Sequence, residues 1–259
     1  MMATWRAQFK IKPVCEAITG FRDEVRFDNY TLRFDERNKV IICEVVKELD
    51  TEDYSQACEY ITRDVEENLM PLLMLSMNCG LELNPNDVSL VLESREKRIV
   101  VSNIITVHVY SVLSEDTNTF TKRLNNLKGG FEELEEERRQ WFLRAMRFLN
   151  KGLVETDPVD KFLNAYIAFE ILAKRVLNVK GNHYEIAKDV EKMFGSKCGA
   201  KLKYDEYYVN TIRNTLLHGE SKIGDKKLGG DEAVELAKRH ADEFARNVLK
   251  LVKCALEIS

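Results

Sequence analysis

The sequence IRNTLLHG, residues 212–219, places an arginine, an asparagine and a histidine within six consecutive positions near the end of an amphipathic segment. Arginine keeps its charge at any working pH, and its planar guanidinium group fits phosphate oxygens. Histidine exchanges protons near neutral pH. A phosphate-binding cation beside a proton-transfer group is the minimal set for cutting RNA without a metal, because the ribose 2′-OH supplies the nucleophile. What the motif means therefore depends on the fold around it.

The sequence around this motif has helical periodicity. From Phe131 onward apolar residues recur every three or four positions. Asp157 followed by Pro158 is a typical helix start, and Gly219 is a typical helix end. We predict five helices, over residues 131–153, 158–177, 184–194, 204–218 and from 231 to the region of 252. With short links between them, these helices predict an all-α antiparallel bundle over residues 129–259.

The first half of the chain has a different periodicity, which predicts an α+β domain over residues 1–128. Alternation of apolar and polar residues predicts strands, and one apolar stripe predicts a helix over residues 54–72. Residues 84–87, Asn-Pro-Asn-Asp, predict a turn. The predicted strands cover residues 5–12, 25–27, 30–34, 40–46, 88–93 and 99–113, the last with His108 as a hydrogen-bonded face residue. The pair Gly129-Gly130 marks the predicted domain boundary.

Composition and charge exclude several classes of protein. The 259 residues include no apolar stretch of about 18 residues and no signal-peptide pattern at the start, so we expect no membrane association and a cytoplasmic location. The net charge is −4, with −5 over residues 1–129 and +1 over residues 130–259. This balance argues against a general nucleic-acid coat protein and leaves only a local contact with RNA.

The six cysteines show no paired spacing that would hold zinc. Four of them lie in apolar periodic segments, where cysteine behaves as a small hydrophobic residue. We therefore expect reduced thiols, no metal site and no cofactor. The other histidines, His183 and His240, have no matched partners in the sequence and are expected at the surface.

The combination of a helical domain and the motif resembles the HEPN superfamily (higher eukaryotes and prokaryotes nucleotide-binding), whose signature is an arginine, four to six residues and then a histidine, commonly with a polar residue directly after the arginine. Arg213, Asn214 and His218 match this pattern. The segment 160–177, which includes Ala-Phe-Glu-Ile-Leu at residues 168–172, is similar to the Apea-like subgroup. The resemblance covers about the last 130 residues and does not extend to residues 1–125.

The resemblance implies a helical domain that dimerises through its motif helices. Many members of the family are metal-independent endoribonucleases, often in toxin–antitoxin or antiviral defence systems. Others have lost catalysis and bind nucleotides or proteins. The partners that it implies are RNA or a nucleotide, a second copy of the chain and, in a toxin setting, a cognate antitoxin. A non-catalytic binding module is therefore the alternative to a ribonuclease, and an adaptor that works through residues 1–125 is a third possibility.

Helix geometry also favours a dimer. Residues five apart on a regular helix are separated by about 140° around its axis, so Arg213 and His218 point in different directions. Asn214 and His218 are four apart and share a face. A two-fold pairing of motif helices brings Arg213 and His218 of both chains around one cleft.

Each candidate residue has a functional role and a simpler alternative. His218 is expected to act as general base or general acid, Arg213 to neutralise charge on phosphorus, and Asn214 to orient His218 or the phosphate. The alternative is that Arg213 and His218 only cap the last carbonyl groups of a solvated helix end. Glu170, on an apolar stretch, is predicted either to form an ion pair that orients Arg213 or to lie in solvent at the edge of the stripe.

Four further residues near the motif are candidates for contact with RNA. One of the two tyrosines Tyr207 and Tyr208 is expected in the core, while the other is free to stack on a base. Three lysines, Lys222, Lys226 and Lys227, follow the motif in a predicted flexible loop that either holds the RNA backbone or is simply solvated.

Overall fold

The computed structural model describes residues 2–14, 17–21, 23–92, 97–100, 111–182, 185–223 and 226–258. The chain separates into two compact units, Met1–Lys128 and Gly129–Ser259. The first unit is built on an antiparallel sheet and the second is mainly helical, as predicted. Among the described residues, no helix is both long enough and apolar enough to cross a membrane.

The N-terminal unit contains a six-stranded sheet of order β3-β4-β5-β1-β6-β7, in which all neighbours are antiparallel. A separate parallel pair joins β2 to β8. A π-helical turn, Val65–Leu69, connects α1 to α2. The elements are β1 (Ala3–Val14), β2 (Ala17–Phe21), β3 (Val25–Phe27), β4 (Tyr30–Asp35), β5 (Val40–Leu49), α1 (Tyr54–Asp64), α2 (Met70–Met77), β6 (Gly80–Leu92), β7 (Lys97–Val100), β8 (Ser111–Glu115) and α3 (Thr117–Glu132), which runs into the second unit.

Strand β1 lies between β5 and β6 and explains how the sequence specifies this sheet. Trp5, Ala7, Phe9 and Ile11 are buried on one face, whereas the residues that alternate with them are exposed or half-buried. Because side chains alternate across a strand, this pattern buries one face of the sheet and leaves the other partly in solvent. The predicted strand over residues 5–12 is confirmed.

One prediction for this unit is wrong, one helix was missed and one predicted strand is described only at its ends. Residues 84–87 do not form a turn between elements: they lie inside β6, where the pairing with β1 shifts register between Phe9 and Ile11. Helix α3 was not predicted at all. Strands β7 and β8 contain the two ends of the predicted strand 99–113, and residues 101–110, with His108, lie outside the described residues.

The C-terminal unit consists of helices with two small antiparallel hairpins, β9–β10 and β11–β12. The expectation of an all-α domain is therefore wrong in detail. Further π-helical turns, Leu172–Val176 and Glu191–Gly195, follow α5 and α6. The elements are α4 (Glu136–Val154), α5 (Pro158–Ile171), α6 (Ile186–Val190), α7 (Ser196–Cys198), β9 (Lys203–Tyr204), β10 (Tyr207–Tyr208), α8 (Val209–His218), β11 (Glu220–Ile223), β12 (Lys226–Gly229) and α9 (Gly230–Ile258).

The start of α5 follows the predicted chemistry. Pro158 is the first helical residue, and the carboxylate of Asp157 accepts hydrogen bonds from the backbone N–H groups of Val159 and Asp160, both at 2.9 Å. These bonds satisfy donors that have no partner within the helix. By contrast, the predicted helix 131–153 is wrong at its start, because α3 ends at Glu132 and α4 begins at Glu136.

Gly129 and Gly130 lie inside α3, not in a linker between helices. A Cβ atom at position 130 would lie 2.2 Å from the backbone oxygen of Leu256, a residue of α9. No atom lies within 4 Å of a Cβ atom at position 129. Gly130 therefore allows the backbones of α3 and α9 to come close together, whereas Gly129 has no such role.

The expectation of reduced thiols is wrong for two cysteines. Cys198 and Cys254 form a disulfide bond that joins α7 to α9, across 56 positions of sequence. Their spacing in sequence gives no indication of this contact, which depends on the packing of the two helices. Cys43 and Cys79 are buried thiols outside this disulfide, and Cys58 is a half-buried one. Cys15 lies outside the described residues.

Candidate active site

The motif residues lie on α8, which is shorter than predicted. The sequence pattern predicts a helix from residue 204, but residues 203–208 form the β9–β10 hairpin and α8 begins at Val209. Asp205, at the turn of the hairpin, has a left-handed backbone conformation with φ of 51°, which ends any helical path there. The end of the helix is as predicted: Gly219 has φ of 83°, and its N–H donates to the carbonyl oxygen of Thr215 at 2.8 Å.

Helix α8 packs against α5 and α9 through its apolar face. Ile212 and Thr215 are buried, while Arg213 and Asn214 are half-buried. The hydroxyl of Thr215 donates to the carbonyl oxygen of Thr211 at 3.0 Å, so this buried polar group is satisfied within the helix. His218 is exposed as the last helical residue. The packing therefore fixes the helix and leaves the motif side chains at its surface.

Arg213 is held by two neighbours. Its Nη1 donates to the side-chain oxygen of Asn214 at 2.9 Å. Its guanidinium carbon lies 5.4 Å from the ring centre of Tyr166, within the range of a cation–π interaction. The Tyr166 side chain, on α5, is buried, and its ring therefore supports the guanidinium group from a fixed position.

Tyr166 was not predicted as a site residue. The sequence indicated only that it faces inward, and nothing in the spacing connects it with Arg213, 47 positions later. Burial raises the pKa of the Tyr166 phenol, and the charge of Glu170 raises it further, while the charge of Arg213 acts in the opposite direction. The phenol therefore stays neutral at physiological pH and supports Arg213 as an aromatic ring, not as a counter-ion.

Glu170 lies one helical turn after Tyr166 and is half-buried. It forms an ion pair with Lys174, with 2.5 Å between Nζ and Oε1. This i, i+4 partner on its own helix was not considered in the sequence analysis. Both Glu170 and Arg213 influence the Tyr166 phenol, so the three groups share one neighbourhood. A direct role of Glu170 in orienting Arg213 stays a prediction.

The residues on either side of α8 belong to hairpins. Tyr207 and Tyr208 form β10 immediately before the helix, and both are half-buried, so the expectation that one of them lies in the core is wrong. The ammonium group of Lys203 lies 5.8 Å from the ring centre of Tyr208, and burial raises the pKa of the Tyr208 phenol. Because Tyr208 already has this cation on its ring, Tyr207 stays the candidate for stacking on a base.

The three lysines after the motif do not lie in an irregular loop. Lys222 pairs with Lys227, and Ile223 with Lys226, across the β11–β12 hairpin. Lys227 is exposed and forms an ion pair with Glu220. The expectation that these three lysines lie in a flexible loop is therefore wrong, because they belong to paired strands. One of them, Lys227, has a carboxylate partner within the hairpin. RNA contact by these lysines stays a prediction.

Of the other histidines, only His240 lies within the described residues. His240 is stacked on Tyr204, with 4.8 Å between ring centres, and only 18% of its side chain is exposed, so its predicted surface location is wrong. His183 lies outside the described residues. In the part of the chain that the structure describes, no group of three or more histidine, cysteine or acidic side chains is arranged to hold a metal ion.

A scan of protein-family models, a search of curated proteins and a search of solved structures each find no match to this chain. The interpretation of the site rests on the geometry of α8 and on the motif itself.

Proposed function

We propose that the C-terminal unit is a HEPN-type domain and that the protein is an endoribonuclease that acts as a homodimer. One observation carries the proposal: α8 presents Arg213, fixed by Asn214 and Tyr166, on the same short helix that ends in the exposed His218. A permanent cation with a fixed orientation and a solvent-accessible imidazole are the two groups that phosphodiester transesterification needs.

The proposed reaction uses only groups of the RNA and of the protein. One His218 removes the proton from the ribose 2′-OH, whose oxygen attacks the neighbouring phosphorus. The bond from phosphorus to the 5′ oxygen breaks, and a second His218 gives that oxygen a proton. The products are a 2′,3′-cyclic phosphate and a 5′-OH. Arg213 stabilises the negative charge that builds on the phosphoryl oxygens, and its contact with Tyr166 reduces the loss of side-chain freedom on binding.

The requirement for a second copy follows from the helix geometry. One chain supplies one His218, which points about 140° away from Arg213 around α8. One apolar side chain beside His218 is unusually accessible: Leu217 on α8 is 50% exposed. Burying it against a second α8 gains free energy from the hydrophobic effect, which supports pairing through the motif helices.

The family resemblance also leads us to propose a role in defence or in a toxin–antitoxin pair, with a cognate antitoxin as partner and with a cytoplasmic location. The disulfide between Cys198 and Cys254 argues against the last of these points, because disulfides are rare in a reducing cytosol.

The proposal is tested with purified protein and mixed RNA in the presence of EDTA. The wild type is expected to cleave, and His218→Ala and Arg213→Ala are expected to lose activity by about 100-fold or more. Lys192→Ala, which removes an exposed cation from another helix, serves as the matched control and keeps full activity. Sedimentation measures the oligomeric state of each variant. A folded dimer that binds RNA or nucleotides but does not cut refutes the nuclease and supports the alternative, a binding module.

A further inference from the structure

A second charged surface of the C-terminal unit lies on α4. Here a groove of about 580 Å³ is lined by residues of this helix alone. Three of them are cations, Arg144, Arg147 and Lys151, and two are aromatic, Trp141 and Phe148. Among the described residues that line the groove, none carries a carboxylate. The spacing of three or four positions places these side chains along one face of the helix.

Two guanidinium groups, from two different helical segments, contact the ring of Trp141. The guanidinium carbon of Arg144 lies 5.4 Å from one of its ring centres, and that of Arg175, from the turn after α5, lies at 4.9 Å. The two guanidinium groups are therefore within roughly 10 Å of each other, about one Debye length at 0.1 M salt, where their repulsion is not fully screened. An anion that binds beside this pair of cations reduces their repulsion.

The mixture of charges and rings points to one class of anion. A row of cations fits a phosphate backbone, and the half-buried ring of Phe148 beside it fits an unpaired base. An acidic peptide or an anionic surface makes use of the cations but has no counterpart for this ring. The α4 groove, as we call the surface of Trp141, Arg144, Arg147, Phe148 and Lys151, is distinct from the motif residues of α8.

We propose that the α4 groove is a binding site for single-stranded RNA, additional to the candidate active site. Arg144, Arg147 and Lys151 bind successive phosphates, Phe148 stacks on a base, and Trp141 holds the guanidinium groups of Arg144 and Arg175 in place. The choice of RNA as the occupant rests on the proposed nuclease function, whereas the preference for a single-stranded polyanion rests on the groove itself.

Binding is measured by fluorescence anisotropy of a labelled 2′-O-methyl oligonucleotide, in which the blocked 2′ position prevents cleavage. The double variant Arg144→Gln with Lys151→Gln is expected to bind about tenfold more weakly. The slope of log affinity against log salt concentration is expected to fall by about 0.7 for each cation removed. The control is Lys192→Gln with Lys197→Gln, which removes two exposed charges from another surface of the same unit and changes affinity less than twofold.

The contribution of the bases is tested with Phe148→Leu and with competitors. This variant is expected to weaken binding roughly fivefold or more, because it removes a stacking surface. Circular dichroism checks that each variant is folded. Duplex RNA and inorganic polyphosphate, at equal phosphate concentration, are expected to displace the labelled strand less well than unlabelled single-stranded RNA. Equal displacement by polyphosphate overturns the proposal in favour of a site for any polyanion.

The outcomes separate this proposal from the nuclease. Binding that the groove variants weaken, in a protein that never cleaves RNA, supports the groove and refutes the proposed catalysis. Cleavage by a protein whose binding is unchanged in the groove variants overturns the groove and leaves the nuclease standing.

Discussion

The two adjacent glycines of α3 give the sharpest test of the helical packing, because they differ only in what surrounds them. Gly130→Ala places a methyl group 2.2 Å from the backbone oxygen of Leu256, so α3 and α9 must separate by roughly 1 Å. Such overpacking costs about 3 kcal/mol at the upper end of its usual range, and the gain in helix propensity from glycine to alanine offsets about 1 kcal/mol. The expected net loss of stability is about 2 kcal/mol.

Gly129→Ala is the matched control. No atom lies within 4 Å of the added carbon, so the propensity gain of up to about 1 kcal/mol is expected without a packing penalty. The two variants are thus expected to differ by roughly 3 kcal/mol, or about 10 °C in Tm for a unit of this size. Thermal and urea unfolding, followed by circular dichroism at 222 nm, measures this difference. Equal stability of the two variants would refute the close contact between α3 and α9.

Three further predictions follow from single contacts. Tyr166→Leu is expected to reduce RNA cleavage roughly tenfold in a folded protein, because it removes the ring that supports Arg213. Tyr166→Phe retains the ring and is expected to keep most of the activity. Equal activity of the two variants would show that the ring has no such role. Cys198→Ser is expected to lower the free energy of unfolding by up to about 4 kcal/mol, the chain-entropy value for a loop closed across 56 positions. Reductant is expected to have the same effect on the wild type. A Tm that is insensitive to reductant would argue against the disulfide with Cys254. Asp157→Ala is expected to lower the free energy of unfolding, measured in urea, by about 1 kcal/mol. Asp157→Asn is expected to lower it much less, because asparagine also accepts a hydrogen bond from the helix start. Equal losses of stability in the two variants would contradict the helix cap.

Features that depend on local chemistry were predictable from the sequence. The alternation along β1 and the Asp157-Pro158 helix start both have the expected structure, because a strand face and a helix cap are decided within a few residues. Helix α3 was missed because the glycine pair was interpreted as a boundary. Glycine disfavours a helix locally, and only the approach of Leu256 explains why Gly130 is present.

Contacts between distant segments could not be predicted in the same way. The contact of Tyr166 with Arg213, the disulfide of Cys198 and the approach of Arg175 to Trp141 all join residues that are more than 30 positions apart. Periodicity indicates which side of a helix faces the core but not which neighbour it meets there. The motif on α8 was recognised because its residues lie within six positions of sequence. The contact of Tyr166 with Arg213 depends on the packing of α5 against α8, which the sequence does not show.

The most direct test of the central claim uses a DNA oligonucleotide with a single ribonucleotide, incubated with the protein in EDTA. The wild type is expected to cut only after the ribose and to leave a 2′,3′-cyclic phosphate, while His218→Ala leaves the strand intact and a 2′-O-methyl group at the same position blocks cleavage. Cleavage at deoxyribose positions, or full activity of His218→Ala, would contradict the proposed chemistry. An intact strand after incubation with a folded wild-type dimer would contradict the proposal that the protein is a ribonuclease.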